Sequence, residues 1–132
     1  MTRSGRSDFM GAPLSFLLAW GLPTAVIVAT NFLGAVIPLG GIVAIVAGAF
    51  VWMGIACLLN ARQCGRRHCY FSGPILLVGA VAVVLFGLDI LPPGPQALNL
   101  ISLATIVLVA LTFVPEAIWG RYVQRKPPNE AG

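Results

Sequence analysis

The sequence predicts an all-α, integral membrane four-helix bundle. Three observations carry that prediction. Of its 132 residues, 58% are hydrophobic and only 9% are charged; the apolar residues gather in four long runs; and all eight Lys and Arg lie outside those runs. A soluble domain carries about 25% charged residues, and a chain of this size buries only about 60–70% of the surface it exposes when unfolded. So much apolar surface finds no shelter in water. The runs also lack the two-residue alternation of membrane β-strands, which leaves helices as the spanning elements.

A helix needs about 20 mostly apolar residues to cross a bilayer. The first run covers 13–37, is uncharged throughout and holds Pro23 in its interior. Pro38-Leu39-Gly40-Gly41 interrupts it, and the second run covers 41–59. The third, 74–90, is the shortest, a length that thins the bilayer locally or stands nearly upright. Leu91-Pro92-Pro93-Gly94-Pro95 breaks the chain again before the fourth run, 97–119. Residues 1–12 and 120–132 are then tails, and 60–73 is a polar middle loop. The first run is too long for a signal peptide and lacks a small-residue cleavage site, so it is expected to be retained as a span.

The basic residues are Arg3, Arg6, Arg62, Arg66, Arg67, Arg121, Arg125 and Lys126. With four spans, the two tails and the middle loop fall on one side of the membrane, and the other two loops carry no Lys or Arg. The positive-inside rule makes that side cytoplasmic and the protein a multi-pass resident of the cell membrane. Topology thereby accounts for the net charge of +4. No basic stripe interleaved with aromatics is present, so no nucleic-acid partner is expected. The lipid bilayer is the expected partner, with a homo-oligomer or a larger membrane complex left open. Trp119 suits an interfacial anchor.

Gly34, Gly40, Gly41, Gly48, Gly54, Gly79 and Gly87 offer small faces for helix contacts, and Ala44-x-x-x-Gly48 is a small-xxx-small pair that the bundle itself would use. Thr30, Asn31, Ser102 and Thr105 are read as hydrogen-bonding glue between helices. Glu116, following Pro115 near the end of the fourth run, is placed to meet Arg66 or Arg67 and hold the middle loop against the bundle.

That loop, "NARQCGRRHCYFSGP" over 60–74, is the one polar island inside the apolar chain. The second helix can continue through Cys64, and Gly65 is the natural residue to stop it in a left-handed conformation. Arg66 to Phe71 then read as a short connection. Ser72 or Gly73 reads as the cap of the third helix, with Pro74 in its first turn. Such a turn gathers Cys64, His68 and Cys69. Thiolate and imidazole suit soft or borderline metals such as Zn, Cu or Hg, and Arg62, Arg66 and Arg67 would favour the thiolate form. Cys57 lies on the same helical face as Cys64 but about 10 Å deeper, as a relay thiol rather than a ligand of one shared ion. C-x4-C beside a His matches neither a C-x2-C zinc pattern nor a C-x-x-C redox motif. A purely topological loop, a metal site and a reactive-thiol site all remain open at this level.

The stretch "CLLNARQCGRRHCYFSGP" resembles a signature of small polytopic membrane proteins of bacteria and archaea, a likeness that brings no activity with it. Mercuric-ion transporters are similar more distantly, in size, membrane character and use of cysteine. Their vicinal cysteine pair in the first helix has no counterpart in this chain.

Three functions follow as expectations. The first is binding or transport of a soft metal through Cys64, His68 and Cys69, with Cys57 as relay. The second is a structural accessory subunit with no site of its own. The third is a thiol-dependent membrane enzyme with Cys64 or Cys69 as nucleophile and His68 as acid or base. No phosphate-binding glycine loop, serine elbow, HExxH helix or haem-attachment motif accompanies them.

Overall fold

Hydropathy forecasts where a chain enters lipid; proline and glycine decide where each helix bends and stops. In a computed structural model describing residues 12–91, 94 and 96–120, four helical segments are long and apolar enough to cross a membrane: Pro13–Thr30, Leu39–Gln63, Arg67–Gly87 and Ala97–Trp119. Among the described residues there is no strand, and the fold is the expected all-α bundle of four spans. Arg3, Arg6, Arg121, Arg125 and Lys126 lie outside the described residues.

The first span begins as α1 (Pro13–Phe16), widens into a π-helical turn at Leu17–Gly21 and continues as α2 (Leu22–Leu33). Pro23 explains the widening. Its ring lacks an N–H and crowds the carbonyl of Ala19, and the helix adapts one turn earlier, where the Leu22 N–H bonds back to the Leu17 carbonyl. α3 (Leu39–Cys64) starts after extended Pro38 and ends at Gly65, whose φ of 70° is the left-handed stop read from the sequence. The fourth span is α5 (Ala97–Leu111) followed by α6 (Phe113–Trp119). Pro115 cannot bond to the Leu111 carbonyl, and the helix is interrupted just there, at Thr112.

The middle loop departs from expectation. α4 runs from Arg67 to Gly87, so it starts seven residues ahead of Pro74 and takes in the second half of the loop expected over 60–73. Only Gly65 and Arg66 connect α3 to α4. Pro74 lies inside the helix instead of in its first turn, at the loss of the hydrogen bond that the Tyr70 carbonyl would have accepted. Gly73 precedes it and has no Cβ to meet the proline ring, which relaxes the usual bar to helical backbone before proline. Ser72 and Gly73 are therefore core residues of the helix, both buried, and not its cap.

α3 and α4 form the centre of the bundle: 44% of each span's apolar window is buried, against 22% in the first span and 17% in the fourth. Val43, Val46, Ala47, Phe50, Met53, Cys57 and Asn60 make a stripe of helical period along α3. It faces an antiparallel stripe of Cys69, Ser72, Leu76, Ala80, Val83 and Phe86 on α4. The first span packs on α3 and the fourth on α4. Leu22, Val78, Leu103 and Ile118 stand exposed on the outer faces, where lipid is the fitting solvent.

Close approach rests on particular glycines. A Cβ on Gly54 would lie 3.1 Å from the Gly73 carbonyl oxygen, one on Gly79 would lie 2.5 Å from Thr105, and one on Gly87 would lie 2.7 Å from Val43. Gly48 behaves otherwise. Both Ala44 and Gly48 are exposed and a Cβ on Gly48 meets nothing within 4 Å, because the rotation of α3 that turns Val43 and Ala47 inward turns this pair outward. Two threonines also differ from the interhelical glue expected of them. Thr30 and Thr105 each donate to a carbonyl of their own helix, at 2.7 and 2.8 Å, and Thr112 does the same at 2.6 Å.

Beyond α4, Asp89 adopts φ 57°, a left-handed conformation at a non-glycine residue. The next N–H, that of Ile90, closes the turn onto the Leu85 carbonyl. The left-handed helical region costs an L-residue about 1–2 kcal/mol, though Asp tolerates it better than most. Asp89→Gly is therefore expected to raise the thermal midpoint in detergent slightly, by up to about 1 kcal/mol of stability. A fall in the midpoint would mean that the aspartate side chain holds this turn.

Candidate functional site

With a connection of only two residues, the first turn of α4 folds straight back onto the last turns of α3. Cys69 is consequently carried down beside Cys57 and Asn60. At this end of the bundle His68, Cys69, Cys57, Asn60 and Ser72 are all buried, each exposed by 5% or less. Polar side chains removed from solvent in a lipid-embedded bundle are costly unless they satisfy one another, and they mark a site by default.

The contacts form a chain. Glu116 on α6 presents Oε2 to His68 Nδ1. His68 Nε2 lies 3.2 Å from Cys69 Sγ. The Asn60 amide reaches the same sulfur from α3, with Nδ2 at 3.6 Å. On the far side of Cys69 is the Cys57 thiol, with the side chains of Ser72 and Trp20 nearby. Ser72 Oγ is buried and makes no regular hydrogen bond among the described residues, which leaves Cys57 as its polar neighbour. Cys57 and Cys69 are both free thiols.

The histidine is fixed on two sides. Its ring stacks on Phe113, with centroids 4.5 Å apart and planes inclined by 20°. Phe113 and Glu116 are three residues apart on α6 and so share one face of that helix. The interruption at Thr112 that Pro115 imposes is what aims this face at α4. A carboxylate accepting from Nδ1–H leaves Nε2 free to take the Cys69 proton, the tautomer that a histidine acting as base requires. This is the order of parts in a nucleophile, a base and a group that orients the base.

Measured against the sequence reading, His68 and Cys69 meet as expected and Glu116 does reach the loop end of the bundle. There it meets His68. The early start of α4 also sets Cys57 beside Cys69. The side chain of Cys64 lies outside the described residues, so the expected Cys64–His68–Cys69 grouping stands without a geometry. Among the described residues, no group of three or more His, Cys, Asp or Glu side chains is arranged to hold a metal ion. Asn60, Ser72, Phe113 and Trp20 are site residues that sequence reasoning missed. Asn60 had a usable signal, since it falls on the same inward stripe of α3 as Cys57.

The same end of the bundle carries Arg62, Arg66 and Arg67, at the end of α3 and the start of α4. The start of the first span lies there too, because Leu18 and Ala19 face Asn60 and Gln63 across a shared groove. The loop, the start of the first span and the end of the fourth thus converge at one end of the bundle.

No protein-family model, no curated protein and no solved structure matches the chain. A four-helix membrane bundle hosts many activities, and the site is the ground on which function has to be argued.

Proposed function

We propose that the protein is a thiol-dependent membrane enzyme with Cys69 as its nucleophile. His68 removes the thiol proton, Glu116 holds the imidazole in the tautomer that can do so, and the Asn60 amide donates to the sulfur as charge develops on it. One observation carries this reading: Cys69 Sγ is 3.2 Å from an imidazole nitrogen whose opposite nitrogen is held by a partly buried carboxylate. The positive-inside distribution of Lys and Arg supports a cytoplasmic site.

The soft-metal reading depends on Cys64, and it predicts bound Zn, Cu or Hg that is lost in Cys64→Ser. The accessory-subunit reading predicts thiols of ordinary reactivity. The thiol reading predicts that a small membrane-permeant alkylating reagent modifies Cys69 before Cys57 and faster than a buried cysteine lacking a base. Peptide mapping after brief exposure, together with metal analysis of the same preparation, separates the three. Equal, slow modification of Cys57 and Cys69 would overturn the nucleophile assignment.

A further inference from the structure

The thiol chemistry makes no use of the groove between the first span and α3. Its volume is about 500 Å3, room for a single acyl chain, and its lining is almost wholly apolar. Ala19 and Ala56 leave the space because they are small, and the larger Leu18, Trp52, Ile55 and Leu59 stand exposed around it. Leu18 and Ala19 belong to the π-helical turn ahead of Pro23, a distortion that recurs at functional sites.

The groove has a direction. From Trp52 to Gln63 it follows α3 for about 16 Å at the rise of a helix. That is about the depth of one leaflet, half of a ~30 Å hydrocarbon core. Hydrocarbon and indole line most of its length, and the amides of Asn60 and Gln63 stand at the loop end. A phospholipid of the leaflet at that end has the same order, with its chains inward and its headgroup at the surface. A helix of a second copy, about 10–12 Å across with its side chains, is too thick for a groove of this volume.

Charge then selects the headgroup. Ile55, Leu59 and Arg62 recur at i, i+4 and i+7 and so form one row on α3, of which Ile55 and Leu59 line the groove. Arg62 continues that edge past the polar end, and it is exposed. A guanidinium there offers forked donors that match a phosphate. Arg66 and Arg67 add positive charge at the same end of the bundle. Among the described residues the acid at this end is Glu116, which is engaged by His68. Basic pockets between membrane helices are a recurrent form of anionic-lipid site.

We propose that this groove binds an anionic phospholipid of the leaflet at the loop end. One acyl chain lies along Ala19 and Ala56, Arg62 holds the phosphate, and the Gln63 amide donates to it. The lipid is a bound partner of the bundle and undergoes no reaction there.

Trp52 lines the groove and reports on its occupant. The protein is reconstituted in phosphatidylcholine vesicles carrying a small fraction of chain-brominated phosphatidylglycerol or, in parallel, chain-brominated phosphatidylcholine. Quenching of Trp52 is the signal of the wild type less that of Trp52→Phe. Brominated phosphatidylglycerol should quench it more strongly than brominated phosphatidylcholine. Arg62→Gln should lower that preference by about fivefold, the weight of one basic residue against anionic lipid, and Arg62→Lys should keep part of it. Ala56→Phe fills the groove and should abolish the preference although Arg62 is in place, whereas Ala44→Phe, on an exposed face of the same helix, should leave it intact. Equal quenching by the two lipids in the wild type would overturn the proposal, because the chain at Trp52 would then be ordinary surrounding lipid. An undiminished preference in Ala56→Phe would overturn the groove as the site, and one in Arg62→Gln would overturn the phosphate contact. Trp52 reached by neither lipid would place a protein segment over the groove instead.

Discussion

His68→Ala is expected to slow alkylation of Cys69 by about 10²-fold or more, the low end of what a positioned general base contributes. The direction is informative because simple packing argues the other way. Deleting an imidazole stacked on Phe113 opens space beside a sulfur that is otherwise fully buried, so loss of shielding alone would speed the reaction. Added imidazole should enter that space and restore much of the rate, which a purely structural histidine would not allow. Glu116 acts through His68 and is a positioning residue. Glu116→Gln keeps the shape but loses the charge, and it should lower the rate less than His68→Ala does. Glu116→Asp should recover part of the loss, and the pH profile of alkylation should shift in Glu116→Gln. Rates unchanged in His68→Ala, with no response to imidazole, would remove the base from the mechanism.

The sequence made the solvent and the number of spans plain, because 58% apolar composition in four runs has no soluble solution at this length. It also carried the stop at Gly65, where a glycine after a helical run can take a positive φ at little steric cost. The start of α4 was not legible in the same way. Hydropathy locates the edge of the lipid, and a helix is free to begin outside it. Arg67, His68 and Ser72 look like loop to any reading that equates helix with apolar run, yet they form the first turns of a helix that protrudes past the apolar segment. Pro74 reinforced the misreading, since proline is at home in a first turn and only a tertiary contact, here the Gly54–Gly73 approach, accounts for its place inside.

That one boundary decides the site. If α4 began at Pro74, Cys69 would sit in a loop with Cys64 and Cys57 would be left about 10 Å deeper. With α4 beginning at Arg67, the antiparallel register sets Cys69 against Cys57 and Asn60. Glu116 was singled out because an acid near a span's end needs a reason, but its partner depended on the turn of α6 after Thr112. Pairings between helices of this kind follow from rotation and register, which an individual helix does not encode.

Gly54→Leu should damage the fold at the α3–α4 contact, and its effect on the thiols is as informative as its effect on stability. The added Cβ would stand 3.1 Å from the Gly73 carbonyl oxygen and 3.1 Å from Leu77. Leu77 can turn aside; a carbonyl within α4 moves only if the helix moves. Overpacking of this kind costs about 1–3 kcal/mol, and a leucine belongs at the upper end. Relief comes by forcing α3 and α4 apart beside Cys57, so the yield of the diamide-induced Cys57–Cys69 disulfide should fall together with the thermal midpoint in detergent. Gly48→Leu is the matched control on the same helix: a Cβ there meets nothing within 4 Å, and exchanging glycine for leucine in a helix gains up to about 1 kcal/mol of propensity. It should leave the disulfide yield unchanged and the midpoint level or slightly higher. Wild-type midpoint and disulfide yield in Gly54→Leu would show that α3 and α4 do not approach closely at this point, and the contact between the two thiols would lose its structural basis.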